Sequence, residues 1–149
     1  MTAREVMTAA VITASAAAPA REAAELMRSH NVGAIVLVDG AGAPAGLITD
    51  RDLAVRVVAA GADPDSPASA HASAPVITAP ADIEVEAAAD LMAAHGIRRL
   101  PLLDRDRLAG IVTLHDLAVR TGEMELAHRM TTTVMRAALP DFYFFTRGG

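Results

Sequence analysis

The chain carries nearly the same sequence twice. Residues 11–39 read VITASAAAPAREAAELMRSHNVGAIVLVD, and residues 76–104 read VITAPADIEVEAAADLMAAHGIRRLPLLD, an offset of 65. The match resumes at an offset of 64, where AGLITDRDLAVR (45–56) faces AGIVTLHDLAVR (109–120). The slip of one residue falls between Asp39 and Ala45 in one copy and between Asp104 and Ala109 in the other, where a loop absorbs it. A unit this short does not bury its own apolar face, so two copies are expected to pack on each other and to share a cleft.

Periodicity gives the content of each copy. Val11-Ile12-Thr13 reads as a brief β-branched strand. From Pro19 a helix follows, with Ala20, Ala23, Ala24 and Met27 at helical spacing, ended by His30-Asn31. Val32 to Asp39 is a continuous apolar run, as expected of a strand buried on both faces. Gly40 to Pro44 is a turn. Gly46 to Thr49 is a third strand, and a second helix runs from Asp52 to Ala60 until Gly61 stops it. Residues 61–75, GADPDSPASAHASAP, read as a linker. The order then repeats. Asp82 is expected to cap a helix over about Ile83 to His95. A strand over Ile97–Asp104, a turn at Arg105-Asp106-Arg107, a strand over Leu108–Thr113 and a helix from Asp116 follow. Residues 122–137 look helical and lie outside the repeat, as does the tail LPDFYFFTRGG. The boundaries drawn this way are 1–61 for the first repeat, 62–75 for the linker, 76–121 for the second repeat and 122–149 for the C-terminal helix and tail.

Composition excludes several function classes. A chain of 149 residues buries about 68–70% of its unfolded surface, enough for a core. With no cysteine, disulfides, thiol nucleophiles and thiolate metal sites are absent. The net charge of -5 argues against general affinity for nucleic acid or an anionic membrane. No apolar run reaches the roughly 18 residues of a membrane span. MTAREVMTAA lacks a basic segment followed by a long apolar one, so no signal peptide is expected. These features predict a soluble, acidic, cytoplasmic protein. The only aromatics are Phe142, Tyr143, Phe144 and Phe145. The body therefore offers no platform for stacking the bases of single strands, and the cluster is expected to pack on a second copy of the chain or on the helix before it, or else to dock another protein.

No nucleophile–base pair, metal set or Walker-type phosphate loop is evident, so an enzyme is not expected. No two histidines stand at the i, i+4 spacing of a helical zinc site. His30 and His95 hold matching positions where a histidine complements a helix C-terminus. His71 and His128 have no motif context. Met27, Met92, Met124, Met130 and Met135 read as core or interface filler.

The strongest constellation is Thr49-x-x-Asp52 with its copy Thr113-x-x-Asp116. Each stands at a strand end just before a helix. One meaning is a capping box, in which both side chains satisfy free backbone N–H groups. Another is ligand contact, because a helix start offers N–H donors and positive potential suited to a phosphate, and a carboxylate there can accept ribose hydroxyls. The two are compatible.

Val6-Met7-Thr8, Glu22-Ala23-Ala24-Glu25-Leu26-Met27 and Gly46-Leu47-Ile48-Thr49-Asp50-Arg51-Asp52-Leu53 in the first copy carry a family resemblance. Glu86 to Met92, Arg98 to Asp104 and Gly110 to Leu117 carry it in the second. Over about residues 1–121 the chain resembles a tandem pair of CBS domains, the module named after cystathionine β-synthase, and is similar to small stand-alone bacterial pairs of the stress-associated kind. The resemblance implies a mixed α/β (α+β) fold of two β-α-β-β-α repeats in pseudo-two-fold symmetry, a Bateman module, assembled as a homodimer that is head-to-head or head-to-tail. It implies an adenine nucleotide as ligand (AMP, ADP or ATP, with S-adenosylmethionine or NAD behind them) and a regulatory role without catalysis. The regulated partner would be another chain, as yet unknown.

Family geometry pairs each Thr-x-x-Asp with the first and second strands of the other copy. One cleft then combines Thr49, Arg51 and Asp52 with Pro75, Val76, Ile77, Thr78, Ile97, Arg98, Arg99 and Pro101. The other combines Thr113, His115 and Asp116 with Val11, Ile12, Thr13, Val32, Gly33, Ala34 and Val36. Three arginines suit the first to a di- or triphosphate, with Ile77 and Ile97 against the adenine. The second has only His115 as a nearby cation, with Gly33 and Ala34 in place of the arginines, and is expected to bind weakly or to prefer a neutral nucleoside. The competing expectation is a structural or protein-interaction module that binds no nucleotide, its motif residues serving only as caps and its alanine-rich clefts closed. Arg51, Arg98 and Arg99 would then be solvated or paired with acidic groups.

Overall fold

The computed structural model describes residues 1–73, 76–122, 124–125, 128–129 and 132–133. Pro75, Met130, Met135 and the Phe142–Phe145 cluster lie outside the described residues. The elements run α1 (Ala3–Val6), β1 (Thr13–Ser15), α2 (Ala20–His30), β2 (Ala34–Val38), β3 (Pro44–Thr49), and α3 (Asp50–Asp52), which continues as a π-helix over Leu53–Ala59. A 3-10 turn (Ala68–Ala70), β4 (Ala79–Pro80), α4 (Val85–His95), β5 (Arg99–Asp104), β6 (Arg107–Thr113) and α5 (Leu114–Arg120) follow. The fold is mixed α+β, with two three-stranded sheets of order β1-β2-β3 and β4-β5-β6.

Each repeat makes one sheet by the same route. A strand, a crossover helix and a second strand give parallel pairing, with Ala14 opposite Leu37 and Ala79 opposite Leu102, because a crossover returns the chain in the same direction. A short turn then reverses it, and β3 pairs antiparallel to β2 with Ile35 opposite Ile48. In the first copy Asp39 builds that turn: its Oδ1 accepts the N–H groups of Ala41 at 2.9 Å and Ala43 at 3.0 Å, and Gly42 takes a φ of +84°. The shorter turn of the second copy instead places Arg105 at a φ of +56°. This is where the one-residue slip is absorbed.

The described residues form two compact units that cross the boundaries of the repeats. The first unit takes residues of 10–76 together with 105–108. The second takes 1–9, 77–104 and the residues from 109 on. The repeats follow chain order, whereas the units follow packing, so the leading nine residues join the second repeat. The first unit centres on Ile35, Leu37 and Ile48, all fully buried, with Ala23 and Met27 of α2 and with Ala68 and Ala72 from the stretch after Gly61. That stretch has the composition of a linker, yet it is packed: the Ala20 N–H bonds Ser66 O at 2.9 Å and the Ala68 N–H bonds Ala18 O at 2.7 Å. The second unit centres on Met92, Leu100, Leu102, Val112 and Leu117, with Ala3 and Val6 of α1. Met27 and Met92 are core residues, and Met124 is exposed.

Several expectations are corrected. Val11-Ile12 precede the first strand, which starts at Thr13. The second strands start at Ala34 and Arg99 rather than at Val32 and Ile97. The last helix starts at Leu114, earlier than Asp116. Asp82 does not cap α4, whose N-cap is Glu84. Its carboxylate is instead drawn to Arg4, which donates from Nε at 2.8 Å once the α1 segment has bonded to Ala81 O and Ile83 O. Helix α1 itself escaped the sequence reading, although Thr2-x-x-Glu5 has the form of a capping box.

Glu5 accepts the Thr2 N–H at 2.6 Å and the Thr2 hydroxyl at 3.2 Å. These bonds, the backbone one first, hold its carboxyl below the ordinary value of 4.5. A depressed carboxylate stabilises the fold fully above its unfolded value, and the contribution fades as the pH falls through the folded value. A carboxyl NMR titration of Glu5 is therefore expected to give a midpoint below 4.5; a midpoint at or above it would mean that the box is not formed.

Candidate functional site

Both Thr-x-x-Asp motifs fold as capping boxes at the junction of the third strand with the following helix. Thr49 is the extended N-cap residue (φ -112°, ψ 165°). Its Oγ1 accepts the Asp52 N–H at 3.1 Å, and Asp52 Oδ2 accepts the Thr49 N–H at 2.9 Å. Thr113 repeats this geometry, with 3.2 Å from the Asp116 N–H and 2.8 Å to Asp116 Oδ2. In each unit the first helical N–H also bonds the residue before the second strand: Asp50 to Gly33 O at 3.0 Å, and Leu114 to Arg98 O at 3.2 Å.

The copies differ in what remains available. The Thr113 hydroxyl donates to Asp116 Oδ2 at 2.9 Å, and Arg120 Nε stands 3.5 Å from Asp116 Oδ1. The Asp116 side chain is only 5% exposed. Around Asp52, the Thr49 hydroxyl hydrogen has no acceptor among the described residues, Arg56 Nε stays 3.9 Å from Oδ1, and the side chain is 14% exposed. The helix behind Asp116 is regular α, whereas the one behind Asp52 is a π-helix, a form found frequently at functional sites. Asp52 thus keeps acceptor capacity that Asp116 has already spent within the fold.

The remaining candidate residues divide between the units. In the first unit, Arg51 is exposed on the opening turn, and Val76 is half-buried. Ile12 packs on the core, Thr13 is exposed, and Ala34 pairs with Thr49 across the sheet. In the second unit, Ile77 and Ile97 pack on the core, Thr78 is half-buried, Arg98 and His115 are exposed, and Arg99 opens β5 half-buried. Pro101 is fully buried within β5 and serves as a packing residue. Within each unit the structure brings a cap together with the strand entry of its own repeat. Among the described residues, no cluster of three or more His, Cys, Asp or Glu side chains could hold a metal ion, and no helix is long and apolar enough to cross a membrane.

Sequence reasoning missed Arg56 and Arg120. Each stands four residues after a motif aspartate, within the DLAVR string common to both copies, which was the available signal. Arg56 Nη1 donates to His71 O at 3.3 Å and Ala72 O at 3.5 Å. Arg120 Nη1 donates to Val6 O at 3.2 Å and Met7 O at 3.0 Å.

Comparison with known proteins agrees with this architecture. The CBS domain family model matches residues 3–59 and again 68–120. The CBS domain-containing protein YhcV of Bacillus subtilis (strain 168) is 42% identical over 131 residues, covering 88% of this chain and 93% of the relative. Hypoxic response protein 1 of Mycobacterium tuberculosis is 32% identical over 118 residues, covering 78% of this chain and 82% of the relative. A CBS domain protein from Pyrobaculum aerophilum, PAE2072, solved in complex with AMP, superposes with a TM-score of 0.75 at 25% identity, covering 89% of this chain and 99% of that one. With the duplicated motif, the two matching sheets and these relatives in agreement, the chain belongs to the CBS domain family and carries two copies of the domain in tandem.

Proposed function

We propose that this CBS pair is a sensor for an adenine nucleotide, without catalytic activity of its own, and that it signals the bound state to another protein. The observation that carries this reading is the state of Asp52. Its carboxylate sits at a helix start, is partly exposed, and among the described residues accepts one close hydrogen bond, on Oδ2. A vicinal diol such as the 2′,3′-edge of a ribose donates two hydrogen bonds to such a group, and charge-assisted bonds of this kind are the stronger ones. The AMP complex of the related PAE2072 supports the ligand class.

The proposed contacts are Thr49, Arg51 and Asp52 around sugar and phosphate, Arg98 and Arg99 for further phosphate charge, and the aliphatic side chains of Val76, Ile77 and Ile97, with Thr78, around the base. The counterpart set of Ile12, Thr13, Gly33, Ala34, Thr113, His115 and Asp116 is proposed as the weaker one. Assembly as a homodimer, a cytoplasmic location and a role in stress response belong to the same proposal, the last supported by the likeness to Hypoxic response protein 1.

Calorimetric titration with AMP, ADP, ATP, S-adenosylmethionine and NAD tests it. At least one adenine nucleotide is expected to bind, and at a hundred times its Kd it adds about 2.7 kcal/mol to the unfolding free energy. No heat and no thermal shift with any of the five would refute the nucleotide reading and leave the interaction module.

A further inference from the structure

Arg56 and Arg120 build the same device in the two units. Each sits four residues after a motif aspartate and faces its Oδ1. Each also donates to two successive backbone carbonyls: His71 and Ala72 in the first unit, Val6 and Met7 in the second. These carbonyls correspond at the offset of 65. Just beyond them the chain bridges to the third strand. Ser73 exchanges hydrogen bonds with Leu47 at 3.0 and 3.3 Å, and Thr8 with Ile111 at 2.9 and 3.0 Å. The bridge requires close approach, which is why a glycine lies beneath each segment: a Cβ on Gly46 would meet the Ala72 Cβ at 3.2 Å, and one on Gly110 would meet the Thr8 carbonyl oxygen at 2.9 Å. Both segments are the last of their unit before the chain passes into the other one, at Ala10 and at Ile77.

One guanidinium therefore joins a motif carboxylate to the backbone at which the chain leaves the unit. An arginine suits this because its fork presents several donors in fixed directions. The two devices are unequal. Around Arg120 the distances are 3.5 Å to a buried aspartate and 3.2 and 3.0 Å to the carbonyls. Around Arg56 they are 3.9, 3.3 and 3.5 Å, on a π-helical segment. We propose that Arg56 is a positioning residue that couples the Asp52 carboxylate to the 71–73 segment, and that Arg120 is a fixed strut. When sugar hydroxyls occupy Asp52 Oδ1, Arg56 loses its carboxylate partner and the hold on the segment changes. This response rests on the nucleotide reading, whereas the coupling itself does not.

Hydrogen exchange at the Ser73 and Leu47 amides of the full chain tests both. Without ligand, Asp52→Ala and Arg56→Ala are each expected to speed exchange there by about three- to tenfold, the scale of one net hydrogen bond. The double variant is expected to do no more than the stronger single one, the signature of a shared interaction. Arg56→Lys keeps the charge but not the fork, and restores only part of the protection. With saturating AMP, protection at Ser73 and Leu47 changes in the wild type and stays unchanged in Arg56→Ala, while Thr8 and Ile111 do not respond in either. Additive effects in the ligand-free cycle would overturn the coupling whether or not AMP binds, as would an AMP response that survives in Arg56→Ala. If none of AMP, ADP, ATP, S-adenosylmethionine and NAD gives heat or a thermal shift with the wild type, the nucleotide reading fails by itself and the cycle still decides the coupling.

Discussion

Leu102→Ala is expected to lower the unfolding free energy by about 2–5 kcal/mol, the range for truncating a fully buried leucine. Leu102 lies on β5, the middle strand of its sheet, and is completely buried among Met92, Leu100, Val112 and Leu117. The surrounding cluster draws on two helices, two strands and the N-terminal segment, so the site cannot collapse by moving one element. The loss combines the transfer term of three carbons with the cavity that stays open. A matched control is Val58→Ala, since Val58 is 78% exposed and its truncation falls within about 0.5 kcal/mol. Urea unfolding of the two variants measures the difference in midpoint at constant slope. Equal midpoints would show that the second core is not packed as described.

Asp116→Ala is expected to cost about 1–3 kcal/mol of stability, more than Asp52→Ala, for which a lost cap costs about 0.5–2 kcal/mol. The two side chains occupy equivalent positions, and their surroundings set the order. Asp116 is buried, takes both the N–H and the hydroxyl of Thr113, and faces Arg120, which ties down Val6 and Met7. Its removal leaves the Thr113 donors unmatched and the arginine without its carboxylate. Asp52 is more exposed and has one fewer close bond. Thermal or urea unfolding of both variants gives the order directly, and a larger loss for Asp52→Ala would reverse the assignment of structural and binding roles.

The duplication made much of this legible in advance. Alternation of apolar runs and helical spacing located both sheets, because Ile35, Leu37, Leu100 and Leu102 are buried at the positions that the apolar runs mark. The Thr-x-x-Asp strings located both caps, since a capping box is a local device whose partners lie within four residues. What stayed hidden was non-local. Asp82 reads as a cap until Arg4, 78 residues away, claims it. Residues 62–73 read as a linker because the stretch is rich in Pro, Ser, Asp and Ala, although its small side chains, Ala68 and Ala72, are what allow it to lie on the first core. Arg56 and Arg120 look like ordinary exposed helix residues in sequence, and only the fold brings backbone carbonyls to them. The π-helix after Asp52 has no signal in LAVRVVA that separates it from the regular helix of the second copy.

The most direct test of the central claim is a calorimetric titration of AMP into the wild type, Asp52→Ala and Asp116→Ala, each first shown to be folded at the titration temperature. One-sided binding at the Asp52 carboxylate predicts that Asp52→Ala weakens AMP by about 10- to 150-fold, the equivalent of about 1.5–3 kcal/mol for a charged hydrogen bond, while Asp116→Ala retains affinity close to that of the wild type. A larger loss in Asp116→Ala, or equal affinity in all three proteins, would contradict it.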